Sequence, residues 1–181
     1  MPKRVAAIDV SHWHSTYDAA YLRILRDLEC DIVGVSDRAE RIARERAERF
    51  GSTPFTDYRR MIETTSPEFV IALGRHCDMP DTFRFLIDAG IPFVMEKPWG
   101  IDPRTVAELA YLAAEKGAWV SVPFMVRYSF WAVTVKRMIA DGEFGRSRTS
   151  SIGGSVRPCT AMSNGTRPGW LTSHRLGAVL C

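Results

Sequence analysis

The sequence predicts an α/β fold with a doubly wound parallel sheet, because strands and helices alternate along most of its 181 residues. The alternation has a period of about 30 residues, which is typical of parallel β-α-β units. Each strand segment is apolar throughout, and not only at every second residue, which indicates a sheet covered by helices on both faces. The length allows one full domain and part of a second.

The elements follow from apolar runs, helical spacing and end signals. Gly51 and Gly90 follow two of the predicted helices, and Asp102 with Pro103 begins another. The predicted strands are 4–10, 31–36, 69–73, 92–95 and 119–122, and the predicted helices are 17–28, 39–50, 82–89, 103–116 and 131–140. These segments predict a sheet of about five or six strands.

Composition and charge exclude several classes of protein. Hydrophobic residues make up 46% of the chain, yet no apolar run is long enough to span a membrane, and the N-terminus lacks the features of a secretory signal. The 24 basic and 21 acidic residues are interspersed, which gives no support to nucleic-acid binding. The 4 cysteines are widely spaced, which favours reduced thiols over disulfides or a zinc site. We therefore expect a cytoplasmic protein that binds neither membranes nor nucleic acids.

Function is expected at the carboxyl ends of the strands, where doubly wound sheets bind their ligands. The turn after the first strand carries Asp9, Ser11 and His14 at the three positions where a dinucleotide fingerprint has glycine. The carboxylate of Asp9 is expected to repel a diphosphate placed there. His12 and His14 either line a nucleotide crevice or bind a metal ion, and the missing third ligand favours the crevice.

The end of the second strand carries the pair Asp37 and Arg38. Asp37 is a candidate acceptor for an adenosine ribose, or the N-cap of the following helix, or both. Arg38 can stack on adenine or meet a 2′-phosphate, so the residues leave the choice between NAD and NADP open.

The segment FVMEKPWG places Glu96, Lys97 and Pro98 directly after a buried strand. A lysine at this place is expected to face the crevice, partly desolvated and close to Glu96. Such a lysine can donate a proton to a substrate oxygen, or orient it, while hydride moves to or from a nicotinamide. Lys97 is therefore the candidate catalytic residue.

The chain resembles the Gfo/Idh/MocA oxidoreductases over residues 3 to about 150. The similar segments are FGSTPFTDYRRMI, FVIALGRH, DAGIPFVMEKPWG and VSVPFMVRYSF. The resemblance implies a Rossmann-like domain that binds NAD or NADP, an active-site lysine at Lys97 and a cis peptide bond before Pro98. It also implies that Arg127 and Tyr128 lie near the nicotinamide or substrate.

Together, the residues and the resemblance define the predicted site and domains. Lys97 is the predicted catalytic residue, and no metal ligand is predicted. The predicted cofactor-binding residues are Asp9, Ser11, His12, His14, Asp37, Arg38, Leu73, Gly74, His76, Glu96, Lys97, Pro98 and Arg127. The predicted domains are 1–123 for the cofactor, 124–151 for a linker helix with the start of a substrate domain, and 152–181 for an irregular tail.

The tail and the missing second domain bear on function. Residues 152–181 contain three arginines and no acidic residue, a composition that fits an irregular tail or a segment read out of frame. The α+β substrate domain of the family is expected to be largely absent, which leaves the oligomeric state open. The predicted function is an oxidoreductase, or its cofactor-binding half, acting on a sugar, cyclitol or related polyol. The alternatives are an inactive nucleotide-binding or ligand-sensing module and a truncated product without function.

Overall fold

The computed structural model of the chain describes residues 2–17 and 20–145. These residues contain a parallel sheet with the strand order β3-β2-β1-β4-β5-β6, and every neighbouring pair is parallel. The strands are β1 (Arg4–Ile8), β2 (Asp31–Ser36), β3 (Pro54–Phe55), β4 (Phe69–Ala72), β5 (Phe93–Met95) and β6 (Val120–Ser121). The predicted fold class, a doubly wound parallel sheet, is confirmed.

All five predicted helices are present, two of them with clearly shifted starts. The helices are α1 (Tyr21–Asp27), α2 (Glu40–Phe50), α3 (Tyr58–Thr65), α4 (Met79–Asp88), α5 (Pro103–Glu115) and α6 (Phe130–Ala140). The starts predicted for α1 and α4, at 17 and 82, were wrong. A short 3-10 turn, Trp13–Ser15, precedes α1, and α4 begins at Met79, with Pro80 in its first turn, earlier than its apolar spacing indicates.

The prediction omitted the strand β3 and the helix α3. β3 is only two residues long, too short for a hydrophobic period to show. For α3 the sequence did offer a start signal, which is Asp57, a preferred N-cap residue. In the structure its side chain accepts hydrogen bonds from the main-chain N–H groups of Arg59 and Arg60.

The core lies on both faces of the sheet. Ala6 and Ile8 of β1 face a cluster that includes Phe83 of α4, while Val5 and Ala7 face the opposite cluster under α1 and α2. Phe83 is fully buried and packs edge-to-face on Phe93, with ring centroids 5.1 Å apart. Removing such a ring costs about 3–5 kcal/mol of stability. The clusters on the two faces hold the sheet in place, and with it the strand ends that carry the candidate site.

The chain divides into two compact units, of which the first ends at Pro123 and the second begins at Phe124. The described part of the second unit contains a 3-10 turn, Met125–Tyr128, followed by α6. Ser129 caps α6, because its hydroxyl accepts a hydrogen bond from the Ala132 N–H at 3.4 Å. The irregular tail predicted for 152–181, and the last residues of the predicted linker, lie outside the described residues.

Candidate functional site

The strand order reverses between β1 and β4, which creates a crevice at their carboxyl ends. Asp9 follows β1 with φ of 57°, and Gly74 lies opposite, beyond β4, with φ of 106°. A Cβ atom on Gly74 would lie 2.4 Å from the Asp9 Oδ2 atom. The Asp9 carboxyl group therefore fills the space that the missing side chain of Gly74 leaves open.

The pKa of Asp9 is raised to about 6, first by burial and then by the charges of Asp37 and Asp78, against the opposing charges of Arg38 and Arg75. The carboxyl group of Asp9 thus follows β1, as the sequence predicts. Near pH 6, however, it is protonated in a substantial fraction of the molecules.

The turn after β1 differs from a glycine-rich turn in its main-chain hydrogen bonds. The N–H of Ser11 donates to Asp37 at 2.6 Å, that of His12 to the Asp9 carbonyl at 3.1 Å, and that of His14 to the His12 Nδ1 atom at 3.2 Å. In a fingerprint turn such groups face a diphosphate. Here they are already bonded within the protein, and α1 begins only at Tyr21.

Asp37 joins the turns that follow β1 and β2. Its side chain is 4% exposed, accepts the Ser11 N–H and also accepts the Ala39 N–H at 2.9 Å. The expectation that Asp37 is the N-cap of α2 was wrong, because the N-cap is Ala39. Asp37 instead fixes the turn just before this helix, and the remaining lone pairs of its carboxylate can accept hydroxyl groups.

Two arginines converge on one carboxylate oxygen beside the crevice. The Oδ2 atom of Asp78 lies 2.8 Å from the Arg38 Nη2 atom and 2.7 Å from the Arg75 Nε atom. The sequence prediction missed Arg75 and Asp78, although their spacing of three residues at the start of a helix was a readable signal. Arg38, a predicted contact of adenine or a 2′-phosphate, is ion-paired within the protein.

Glu96 is at the centre of a buried cluster below Lys97. It is 2% exposed, its Oε1 atom accepts the Tyr21 hydroxyl at 2.8 Å, and the same atom lies 2.7 Å from the His14 Nδ1 atom. Its Oε2 atom accepts the Lys97 main-chain N–H at 3.0 Å. Burial raises the pKa of Glu96, but the hydrogen bonds and charge of His14 and the other donors lower it more, so the pKa stays below its usual range. Sequence reasoning missed Tyr21.

Lys97 is exposed, and the peptide bond to Pro98 is cis, as the resemblance implies. Glu96 points into the interior, and the hydrogen bond that joins the two residues comes from the Lys97 main chain. Burial first, and then the charges of His14 and Lys97, lower the pKa of His12 to about 4. Burial and the Lys97 charge also lower the pKa of His76. The charge of Lys97 thus contributes to the lowered pKa of both imidazoles.

Most predicted site residues of the first unit follow the carboxyl ends of β1, β2, β4 and β5. Leu73 also follows β4, but it is 2% exposed and its side chain packs in the core. Arg127 lies in the 3-10 turn of the second unit and is exposed. In the part of the chain that the structure describes, no group of three His, Cys, Asp or Glu side chains is arranged to hold a metal ion.

Two cavities lie in the crevice at the carboxyl ends of the strands. A cavity of about 380 Å³ is lined by Asp37 and Arg38 on one side and by the start of α4 on the other. A smaller cavity of about 190 Å³ continues past Asp9 and Gly74 toward His12. Asp9, Asp37 and Arg38 line both cavities.

Comparison with known proteins agrees with this geometry. Residues 6–124 match the oxidoreductase family with an NAD-binding Rossmann fold, GFO_IDH_MocA. This match covers well over half of the chain. The chain therefore belongs to the Gfo/Idh/MocA oxidoreductase family, whose Rossmann domain binds NAD. A comparison with curated protein sequences found no significant match.

Solved structures of this family share the fold. The myo-inositol 2-dehydrogenase of Lactobacillus plantarum is 21% identical, with a TM-score of 0.70 over 81% of this chain and 43% of the other. An NAD+ complex of an inositol dehydrogenase homolog from Azotobacter vinelandii is 22% identical, with a TM-score of 0.67 over 80% and 40%. The 3-ketoreductase KijD10 of Actinomadura kijaniata, in complex with TDP-benzene and NADP, is 22% identical, with a TM-score of 0.66 over 78% and 44%.

These comparisons fix the family and the fold. This chain spans less than half the length of each of these three proteins. Within residues 2–17 and 20–145, no helix is long and apolar enough to cross a membrane.

Proposed function

We propose that this chain is the cofactor-binding part of an NAD(P)-dependent oxidoreductase that acts on a sugar, cyclitol or related polyol. The observation that carries the proposal is the position of Lys97, which directly follows β5 at the carboxyl edge of the sheet, where Asp9 and Asp37 also follow their strands. A bound nicotinamide would supply the hydride donor or acceptor. The substrate class is inferred from the inositol dehydrogenase and 3-ketoreductase among the similar structures.

In this proposal Lys97 acts on the oxygen of the reacting carbon. Its ammonium group can donate a proton to a carbonyl oxygen, or its amine form can take one from a hydroxyl group. Glu96 does not take part in proton transfer. It positions Lys97 through the main-chain N–H, with Tyr21 and His14 holding its other oxygen atom.

The test combines binding and turnover. NADH and NADPH are titrated into the purified chain by calorimetry, and NAD(P)-dependent oxidation is assayed with a panel of cyclitols, sugars and sugar nucleotides. Lys97→Met should keep the dinucleotide affinity within about threefold and abolish any turnover that the panel reveals. Lys116→Met, which removes an exposed lysine next to the C-terminal end of α5, is the matched control. Failure of both dinucleotides to bind at millimolar concentration would overturn the proposal.

A second candidate is a nucleotide-binding or ligand-sensing module without catalysis. Asp9 and the internally bonded N–H groups of Ser11 and His12 favour it, because both features weaken a diphosphate site. Dinucleotide binding that is unaffected by Lys97→Met, together with no turnover on any panel compound, would favour this candidate.

A further inference from the structure

The larger cavity of the crevice is lined mainly by acidic side chains. The cavity of about 380 Å³ is lined by five aspartates, which are Asp9, Asp37, Asp57, Asp78 and Asp81. Among the described residues, the lining includes two cations, the guanidinium groups of Arg38 and Arg59. Two further arginines lie beside the lining, because Arg75 is ion-paired with Asp78 and Arg84 lies 3.6 Å from Asp81. Within the lining itself, and with Asp9 protonated, four carboxylates stand against two guanidinium groups.

Both cations already have partners in the protein. The Arg38 guanidinium is ion-paired with Asp78 at 2.8 Å, and this carboxylate holds Arg75 as well. The Arg59 guanidinium lies over the rings of Phe85 and Tyr58, 4.6 and 5.3 Å from their centroids. An anion entering the cavity would have to compete with these contacts.

The amino end of α4 does not compensate for this charge. A helix N-terminus attracts anions through its unpaired N–H groups and its dipole. In this helix Asp78 is at the N-cap position and Asp81 is in the first turn, so two carboxylates lie at the favourable end. Burial raises the pKa of Asp9 most, and the charges of Asp37 and Asp78 add to the rise, while those of Arg38 and Arg75 oppose it.

We propose that Asp78 and Asp81, together with Asp37, make this pocket select NAD(H) and reject NADP(H). The inference rests on the proposed function, since it concerns the cofactor of the same site. The two dinucleotides differ by the 2′-phosphate, which carries close to two negative charges at neutral pH. Asp37 suits a free ribose hydroxyl, and Arg38 can reach a 2′-phosphate only by leaving Asp78. Asp78 contributes twice, by its own charge and by retaining Arg38.

The experiment measures the ratio of the dissociation constants for NADPH and NADH, in the full chain at one pH and ionic strength. The ratio cancels effects on the shared diphosphate, including the protonation of Asp9. We expect NADH to bind at least about tenfold tighter than NADPH. Asp78→Asn should lower the ratio by about tenfold. Asp81→Asn should lower it less, because its side chain is 79% exposed and Asp78 is 27% exposed.

Two further variants sharpen the test. Asp88→Asn removes one exposed charge at the far end of α4, outside the cavity lining, and should leave the ratio unchanged. Arg38→Gln, added to Asp78→Asn, should cancel the gain in NADPH affinity, because the released Arg38 is the group expected to bind the 2′-phosphate. NADH binding by each variant also shows that it is folded.

The outcomes separate the two proposals. Equal or tighter binding of NADPH by the unaltered chain would overturn the selectivity and leave the proposed function intact. An unchanged ratio in Asp78→Asn, or an equal change in Asp88→Asn, would overturn the role of α4. Binding of neither dinucleotide would instead overturn the proposed function.

Discussion

The Nδ1 atom of His14 and the Oε1 atom of Glu96 lie 2.7 Å apart, in a pair that is almost completely buried. His14 occupies the place of the third fingerprint glycine, and Glu96 belongs to the EKP segment that carries Lys97. The histidine that replaces a glycine of the fingerprint is therefore bonded to the segment that carries the candidate catalytic lysine. An imidazole at this position connects the turn after β1 to the turn after β5.

The first prediction concerns acid stability. The folded pKa of Glu96 is lowered, so its contribution to stability is present above its usual pKa of 4.5 and is lost as the pH falls through the folded value. Glu96→Gln should cost about 1–3 kcal/mol near pH 7, because charge-assisted hydrogen bonds are lost. This difference should shrink as the pH falls below 4.5. Urea unfolding followed by tryptophan fluorescence measures it.

Glu108→Gln, an exposed change on α5, is the control for the removal of a carboxylate. It should behave like the unaltered chain at every pH. A stability difference between Glu96→Gln and the unaltered chain that stays constant through the acid range would contradict the ionised state of Glu96.

The second prediction concerns the pH dependence of cofactor binding. The folded pKa of Asp9 is raised to about 6, so its charge appears in the crevice as the pH rises through this value. If the diphosphate requires a protonated Asp9, the affinity for NAD+ should fall by up to about tenfold for each pH unit above 6. The pKa of His12, at about 4, keeps that residue neutral over this range.

Calorimetric titrations of NAD+ at several pH values between about 5.5 and 8 test this dependence. Asp9→Asn and Asp9→Gly should bind more tightly at the alkaline end and lose most of the slope. A flat profile in the unaltered chain would show that Asp9 does not oppose the diphosphate.

The third prediction concerns the contact between Asp9 and Gly74. Gly74→Ala forces a side chain into the left-handed region and places its Cβ atom 2.4 Å from a carboxylate oxygen, so it should cost more than about 2 kcal/mol of stability. Gly90→Ala, where φ is +67° and no atom lies within 4 Å of the new Cβ, isolates the backbone term and should cost about 1 kcal/mol. Denaturant unfolding gives both values.

A double variant separates the two causes at Gly74. Combining Gly74→Ala with Asp9→Gly removes the carboxylate, so the penalty should fall toward that of Gly90→Ala. Equal penalties with and without Asp9 would mean that the backbone conformation alone requires glycine at this position.

The sequence by itself determined the fold class and the order of the main elements. Continuous apolar runs such as 69–73 mark strands buried on both faces, and Asp102 with Pro103 marks a helix start through strictly local chemistry. It also determined that Asp9, Asp37 and Lys97 follow three strands of one parallel sheet. Because parallel strands end at the same edge, their convergence follows from topology.

Only the tertiary structure decided how these residues are paired. Glu96 follows the same strand as Lys97, yet its carboxylate points inward to His14 and Tyr21, which are 82 and 75 residues away. Arg38 is ion-paired with Asp78, which lies in a different turn of the chain. Local patterns do not encode such pairings, because their free energy depends on the distance, burial and orientation of groups brought together by folding.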